Sequence, residues 1–480
     1  MKHTVILSDV HLCEPVDSDG VWMRWRQRPY FPSGEFVSLV ESILAAMAPG
    51  DAGELVFNGD LFDFDAGRVV RGEATFEDLP RTEPVALELL DRILHEHPCF
   101  VAALARWLRA GHAITFIAGN HDPQLGFDGV QRRLRERLAL EAGSARAGDL
   151  VRFRLWFHHT DDGIHIEHGN QYDPYCSFRY PMRPLVPPKR GRDREIAPTV
   201  GSITFRLLGS RLGTMNPHFD DSWDMSAAAY VKHWFKHYFS SHHSLAQVWL
   251  AGSFGIVYQT WRGRDLGSED RFERNLDAAA HETGCDPERL ARHARLFSPP
   301  ADEVLHKVIR EFYVDRLVLG GLSVGAVLTP LVVRNRKAVG AALGATALMA
   351  AYEAALPSRG LDDNYRRIAA TARDIAEIYG VRAVVFGHTH VAYSFWEEDT
   401  LYANSGTWSP AIIDVERGDV ASLEKPIIWI RTDGPHTAGG LYMLDGGALV
   451  ERRDATSPVP HRRPQVSLVP PPNPAAAVER

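Results

Sequence analysis

Four cysteines in 480 residues, Cys13, Cys99, Cys176 and Cys285, share no paired spacing. That scarcity excludes a disulfide frame and a zinc ribbon, and points to reduced thiols in a cytosolic protein. Positive charge is also short: 53 Lys and Arg stand against 61 Asp and Glu, a net charge of −8. A general nucleic-acid binder needs a basic face to displace counterions. No long basic track interleaved with aromatics is present, so no nucleic-acid partner is expected. The first residues, Met1 to Asp9, run straight into an apolar strand pattern. They lack the longer apolar core and small-residue cleavage site of a secretory leader, which makes a cytoplasmic location the expectation. No internal repeat is visible.

Apolar residues make up 45% and charged residues 24%, enough to bury a real core. The length exceeds what one compact core usually holds, so one domain with a large insertion, or a second domain, is expected. Residues 4–9 (TVILSD), 53–59 (GELVFNG) and 113–118 (AITFIA) read as buried strands. Between them, 34–47 and 84–110 carry helical spacing, the latter broken at Pro98. This alternation predicts an α/β fold with a largely parallel core sheet. Residues 151–157 and 163–168 predict a hairpin around His-Thr-Asp-Asp-Gly. Farther on, 364–379 is an amphipathic helix stopped by Gly380, and 382–386 is another buried strand. Short alternating runs at 392–396, 400–404, 426–430 and 440–444 suggest antiparallel strands.

Between 174 and 362 the alternation stops, and a mainly helical region rich in His, Trp and Arg takes its place. The expected division is therefore a core in two parts, 1–173 and 363–452, around an insertion at 174–362. Residues 453–480 form a Pro-rich tail expected to be disordered.

Five short segments put metal-ligand residue types directly after predicted strands. They are Asp9-Val10-His11, Gly59-Asp60 with Asp63, Gly119-Asn120-His121-Asp122, His168-Gly169, and Gly387-His388-Thr389-His390. Strand ends of an open α/β sheet form its ligand crevice, so these loops can converge although distant in sequence. Carboxylate and imidazole suit Mn²⁺, Fe or Zn²⁺.

In this order the blocks DxH, GDxxD, GNH(D/E), H and GHxH resemble the calcineurin-like metallophosphoesterase superfamily, over about 1–172 and 364–410. The resemblance implies a metallophosphoesterase-type αββα sandwich carrying the helical insertion. It implies two divalent cations, manganese first with iron or zinc as alternatives. One is held by Asp9, His11, Asp60 and His390, the other by Asp60, Asn120, His168 and His388, so that Asp60 bridges them. Two cations roughly 3.5–4 Å apart can share a hydroxide that attacks a phosphoester or phosphoanhydride in line. By the same resemblance His121 faces the phosphate and protonates the departing oxygen, Asp122 orients the His121 ring, and Asp63 supports the Asp60 loop. The implied substrate is a phosphate-containing small molecule or a lipid-linked one. Within the superfamily the layout is similar to the UDP-2,3-diacylglucosamine hydrolases, pyrophosphatases of a lipid-linked nucleotide. This chain is longer than they are and has His121 where they tend to have Arg. The reading from another class is a catalytically silent scaffold of the same fold.

Three further features invite interpretation. Residues 317–333 carry no charge and 338–352 nearly none, with Arg334, Arg336 and Lys337 between them. Both runs are shorter than the 20 or so residues of a membrane span. The pair is expected to dip into a membrane interface, which would place the protein at the inner membrane face, to cap the site as a lid over a lipid substrate, or to pack as a buried hairpin. His233 and His237 have an i, i+4 spacing open to a metal, though aromatic neighbours favour packing. Arg24, Arg26 and Arg28, interleaved with Trp22, Trp25 and Tyr30, read equally as a phosphate-binding segment or as a solvated, salt-bridged loop.

Overall fold

The computed structural model describes the chain except residues 19–21, 181, 187–192, 212, 214–244, 264–269, 304–307, 310–314, 316–343, 345–346, 348–350, 352–360, 410–411, 415–418, 421–424 and 453–480. The apolar pair at 317–352 thus falls almost wholly outside the described residues, as do His233, His237 and the tail.

The fold is mixed α/β, with two sheets of mixed strand direction. The first joins β1 (Lys2–Leu7), β2 (Ala52–Asn58), β3 (Ala113–Ile117) and β4 (Val151–Arg154) in parallel. The second contains β5 (Phe157–His159), β6 (Ile164–Glu167), β7 (Ala383–Phe386), β8 (Tyr393–Glu397) and β9 (Thr400–Asn404), in the order β8-β9-β7-β6-β5. Here β6, β7 and β9 are parallel. Strands β10 (Lys425–Asp433), β11 (His436–Asp445) and β12 (Ala448–Glu451) extend the first sheet antiparallel beyond β1.

Strand periodicity builds the layers. Ile6, Val56 and Ile117 point from the first sheet into a core shared with Ile164, Ile166, Val385 and Ala403 of the second. The alternate residues Val5, Leu7, Leu55, Phe57 and Phe116 face the other way. They pack on helices α1 (Ser33–Ala46), α2 (Glu83–Glu96), α3 (Pro98–Arg109) and α4 (Asp128–Ala142). Such two-sided burial explains why these strands read as unbroken apolar runs.

Between Leu185 and Ala301 the described residues form two two-residue strands and helices α5 (Val200–Leu207), α6 (Leu245–Gly263), α7 (Asp270–Thr283) and α8 (Pro287–Ala294). Helix α9 (Leu361–Tyr379) then covers the outer face of the second sheet through Ile368, Ala372 and Ile375 against Val384 and Phe386. It ends at Gly380, φ +66°, as expected of a left-handed cap residue. Since β6 pairs with β7, the second sheet is assembled from chain on both sides of the helical region.

The expected hairpin at 151–168 is corrected. Residues 151–154 pair with β3 in the first sheet, and only 157–159 turn back antiparallel on β6 in the second. The chain changes sheets at Leu155 and Trp156, where Trp156 is buried against His293 and Phe297. Among the described residues no helix is long and apolar enough to cross a membrane.

Candidate metal centre

Asp9 and His11 follow β1, Asp60 follows β2, Asn120 and His121 follow β3, His168 follows β6, and His388 and His390 follow β7. Each lies at the carboxyl end of a parallel strand, so both sheets deliver side chains to one place. Asp9, His11 and His390 bring ligand atoms within 4.8 Å of one another, and so do Asp60, His168 and His388. His390 Nε2 lies 3.1 Å from Asp9 Oδ1, and His168 Nε2 lies 3.2 Å from Asp60 Oδ2 and 4.0 Å from Asp9 Oδ1. The two groups therefore adjoin across Asp9 and Asp60.

Backbone bonds weld the loops together. The amides of Val10 and His11 both donate to the Asp60 carbonyl, and those of Trp408 and Ser409 to the Asp9 carbonyl. His388 N–H donates to Asp9 Oδ2, and His121 N–H to Asp60 Oδ1. Nine non-glycine residues among those described have positive φ, and five of them are Asp9 (53°), His11 (53°), Asp60 (51°), His388 (66°) and His390 (59°). An L-residue in that region costs roughly 1–2 kcal/mol. Strain concentrated on candidate ligands is the distribution expected where structure is held for chemistry.

The preceding glycines supply space. A Cβ at Gly119 would lie 2.2 Å from Asp60 Oδ1, one at Gly59 2.4 Å from the His168 ring, and one at Gly387 2.6 Å from Ser8 Oγ. Only hydrogen fits there. Of the three, Gly59 also needs its positive φ, +83°.

The donor set fits divalent cations on three counts. It is carboxylate, imidazole and amide oxygen, as such ions prefer. Asn120 Oδ1 is buried and has no hydrogen-bond partner among the described residues, a cost that a ligand would remove. The field also favours positive charge. Burial pushes Asp60 and Asp9 up, yet His168 and His121 hold Asp60 well below the carboxylate range, and His390 and His168 lower Asp9. Conversely, burial disfavours charge on His168 and His121, but Asp60 and Asp9 raise His168 to about 9, and Asp60 with Asp63 raises His121 to about 10.

His121 sits beside this centre, its ring edge-on to His11 (4.9 Å between centroids) and to Phe205 of α5 (5.0 Å). Its Nδ1 is 3.4 Å from Asp63 Oδ1 and 3.9 Å from Asp65 Oδ2. The expectation that Asp122 orients this ring is therefore corrected. Asp122 Oδ1 accepts from the amides of Gly119 (2.7 Å) and Asp60 (3.2 Å), and Oδ2 from those of Leu61 (2.9 Å) and Phe62 (3.3 Å). Converging amides outcompete a side-chain partner, and Asp122 clamps the Asp60 loop to the Gly119 loop. Burial and the nearby Asp60 charge raise its pKa to about 7.

Four contributors were not singled out in the sequence. Asp65 accepts from Arg206 Nε of α5 at 2.5 Å. Asp173 Oδ2 lies 3.2 Å from His388 Nε2. Asn404, at the end of β9, donates to the Gly387 carbonyl (2.6 Å) and to Thr389 Oγ1 (3.1 Å), fixing the His388 loop. Asn404-Ser405-Gly406 follows an apolar run as the candidate ligand loops do, which was the available signal; Arg206 and Asp173 had none. Of the Arg24–Arg28 segment, Arg26 is fully buried and donates to the carbonyls of Glu14, Ala66 and Gly67, while Arg28 pairs with Glu96. Arg26 is thus a structural clasp, neither solvated nor open to phosphate.

No model of a known protein family matches this chain, and no curated protein matches it.

Proposed function

We propose that this protein is a dinuclear metal-dependent hydrolase of phosphoester or phosphoanhydride bonds, of the calcineurin-like metallophosphoesterase kind and its αββα architecture. The observation that carries the reading is the pair of adjoining ligand groups, Asp9–His11–His390 and Asp60–His168–His388, with five of the six residues in the left-handed region. In this reading one cation is held by Asp9, His11, Asp60 and His390, and the other by Asp60, Asn120, His168 and His388. Manganese is the first choice, iron and zinc the alternatives. Two bound cations would acidify a water and offset charge on the phosphoryl oxygens.

The remaining residues act on protons and position. His121, half-buried at the edge of the centre with neighbouring carboxylates that raise its pKa, would pass a proton to the departing oxygen. Asp63 and Asp65 fix the Nδ1 side of that ring, and Arg206 fixes Asp65. Asp122 keeps the Asp60 and Gly119 loops at one separation.

A specific observation supports a lipid-linked diphosphate as the substrate. Helix α6 exposes Phe254, Tyr258 and Trp261, spaced four and three residues apart on one face, the residue types that settle at lipid interfaces.

The test is hydrolysis by the metal-stripped full chain reloaded with Mn²⁺, Fe²⁺ or Zn²⁺. Substrates are p-nitrophenyl phosphate, bis-p-nitrophenyl phosphate and UDP-2,3-diacylglucosamine. Turnover should need metal, vanish in Asp60→Ala, and fall about 10²–10⁴-fold in His121→Ala with metal content unchanged. Preference for the lipid-linked substrate would select the second reading. A wild type that binds both metals and turns over none of the three substrates would make the chain a binding scaffold and overturn the proposal.

A further inference from the structure

Behind the Asp60 centre, the second sheet and the helical region share a second cluster of metal-ligand side chains. His165 and Glu167 lie on β6, Tyr172 follows that strand, and His293 comes from α8. His165, Glu167 and His293 are 0%, 2% and 0% exposed, and their ligand atoms lie within 4.8 Å of one another.

The spacing is informative. His165 Nε2 is 3.6 Å and His293 Nε2 3.5 Å from the same oxygen, Glu167 Oε2. A charge-assisted N–H···O bond is shorter, about 2.7–2.9 Å. Tetrahedral ligands on bonds of about 2.1 Å stand roughly 3.4 Å apart, close to what is seen. His165 Nε2 is buried without a hydrogen-bond partner among the described residues.

The outer nitrogens are equally placed. His165 Nδ1 is 2.7 Å from His159 Nε2, and His293 Nδ1 is 3.0 Å from Tyr379 Oη. Histidines that ligate a metal carry their remaining N–H to such an acceptor, which fixes tautomer and ring angle. His159 suits that role. Its Nε2 is turned to His165, while its Nδ1 faces Cys285 Sγ at 3.5 Å. Finally, the Glu167 carboxylate is buried; Tyr172 Oη donates to its Oε1, and among the described residues only imidazoles lie within ion-pair distance of its Oε2. A buried carboxylate requires a counter-charge.

We propose that His165, Glu167 and His293 bind a structural zinc ion, its fourth position left for a water, with Tyr172 Oη beside the site donating to Glu167 Oε1 and lying 2.7 Å from His293 Nε2. Two imidazoles and a carboxylate in a closed, wholly buried setting are a zinc donor set. Coordination takes Nε2 lone pairs, leaves the Nδ1 protons in place and involves no redox change. The ion staples α8 to β6 directly before His168. It is independent of the two-metal reading of the Asp60 centre.

The test counts metal in the full chain carrying Asp60→Asn and His390→Ala, which disable the first centre, with and without His293→Gln. After zinc loading and dialysis, plasma mass spectrometry should find about one equivalent in the Asp60→Asn/His390→Ala protein and none once His293→Gln is added. Cobalt(II) loading of the same protein should give the intense visible bands of tetrahedral coordination, without needing the His293 variant to fold. Absence of both zinc and those bands, or zinc content indifferent to His293→Gln, would overturn the site and leave a proton-bonded cluster. Failure of the hydrolase reading would instead appear only at Asp60, with this equivalent intact.

Discussion

Gly119→Ala adds one methyl group at the point where the two central loops touch. Gly119 has an ordinary negative φ, so alanine brings no backbone penalty there, and the effect is steric alone. The new Cβ would stand 2.2 Å from Asp60 Oδ1, 2.6 Å from Asp60 N and 2.8 Å from Asp60 Cγ. To reach ordinary contact, near 3.4 Å, the carboxylate must retreat by about 1.2 Å. It cannot do so freely. Its Oδ1 is tied to the His121 amide, and the Asp60, Leu61 and Phe62 amides are tied to Asp122. Overpacking of this sort costs about 1–3 kcal/mol of stability. The effect on function should be larger, because Asp60 serves both ligand groups and a displacement near 1 Å can cost about 10²-fold in rate. Gly148→Ala is the control, since its nearest neighbour, Ala139 Cβ, is 3.7 Å away and stability should move by less than about 0.5 kcal/mol. Bound manganese, urea unfolding and phosphodiester turnover would be measured on both variants. A Gly119→Ala protein that keeps its metal and its rate would refute the claim that this glycine is required for the Asp60 carboxylate.

Arg206→Met removes the guanidinium that donates to Asp65 and to the Leu79 carbonyl (2.7 Å) while preserving length and apolar packing. Turnover should fall about tenfold or more through loss of the His121 setting, with metal content unchanged; a loss of metal instead would place Arg206 on the wrong function. Glu54 provides a pH test remote from the centre. Burial pushes its carboxyl up, but hydrogen bonds from His158 (2.9 Å) and Thr115 (2.7 Å) hold it at about 2. Its folded pKa is depressed, so its contribution, about 3 kcal/mol, is complete above pH 4.5 and is lost as pH falls toward 2. The stability gap between wild type and Glu54→Gln should therefore shrink between about pH 5 and pH 3 in urea titrations. A gap that does not change over that window would contradict the linkage.

The loops that carry the candidate ligands were legible as strand-end loops because they follow runs that read as buried strands. Asp9 ends TVILSD and His388 follows RAVVFG, so residue type and position agreed. Helix α9 was legible to its last residue through Gly380. The hairpin at 151–168 misled for a physical reason: alternation reports which face of a strand is buried, not which sheet the strand joins. Asp122 misled because adjacency to His121 in sequence says nothing about the four amides that meet its carboxylate from across the loops. Nor could composition separate Arg26 from a ligand-binding arginine, since what decides the matter is three carbonyls from distant loops.

The helical region meets the centre from two sides, and the two contacts differ in kind. On the first-sheet side, α5 lays Phe205 against the His121 ring and sends Arg206 to Asp65, so a movement of that helix reaches the His121 ring. On the second-sheet side, α8 sends His293 toward Glu167, the residue before the candidate ligand His168, so a movement there reaches that residue. Each connection is made by a buried polar group, whose removal leaves an uncompensated partner behind. A region held only by apolar packing could slide by small steps without large cost. Arg206 and His293 resist such sliding in α5 and α8, because a shift would break their buried polar contacts. Helices α5 and α8 are therefore part of what positions the candidate centre, even though none of its candidate ligands lies within them.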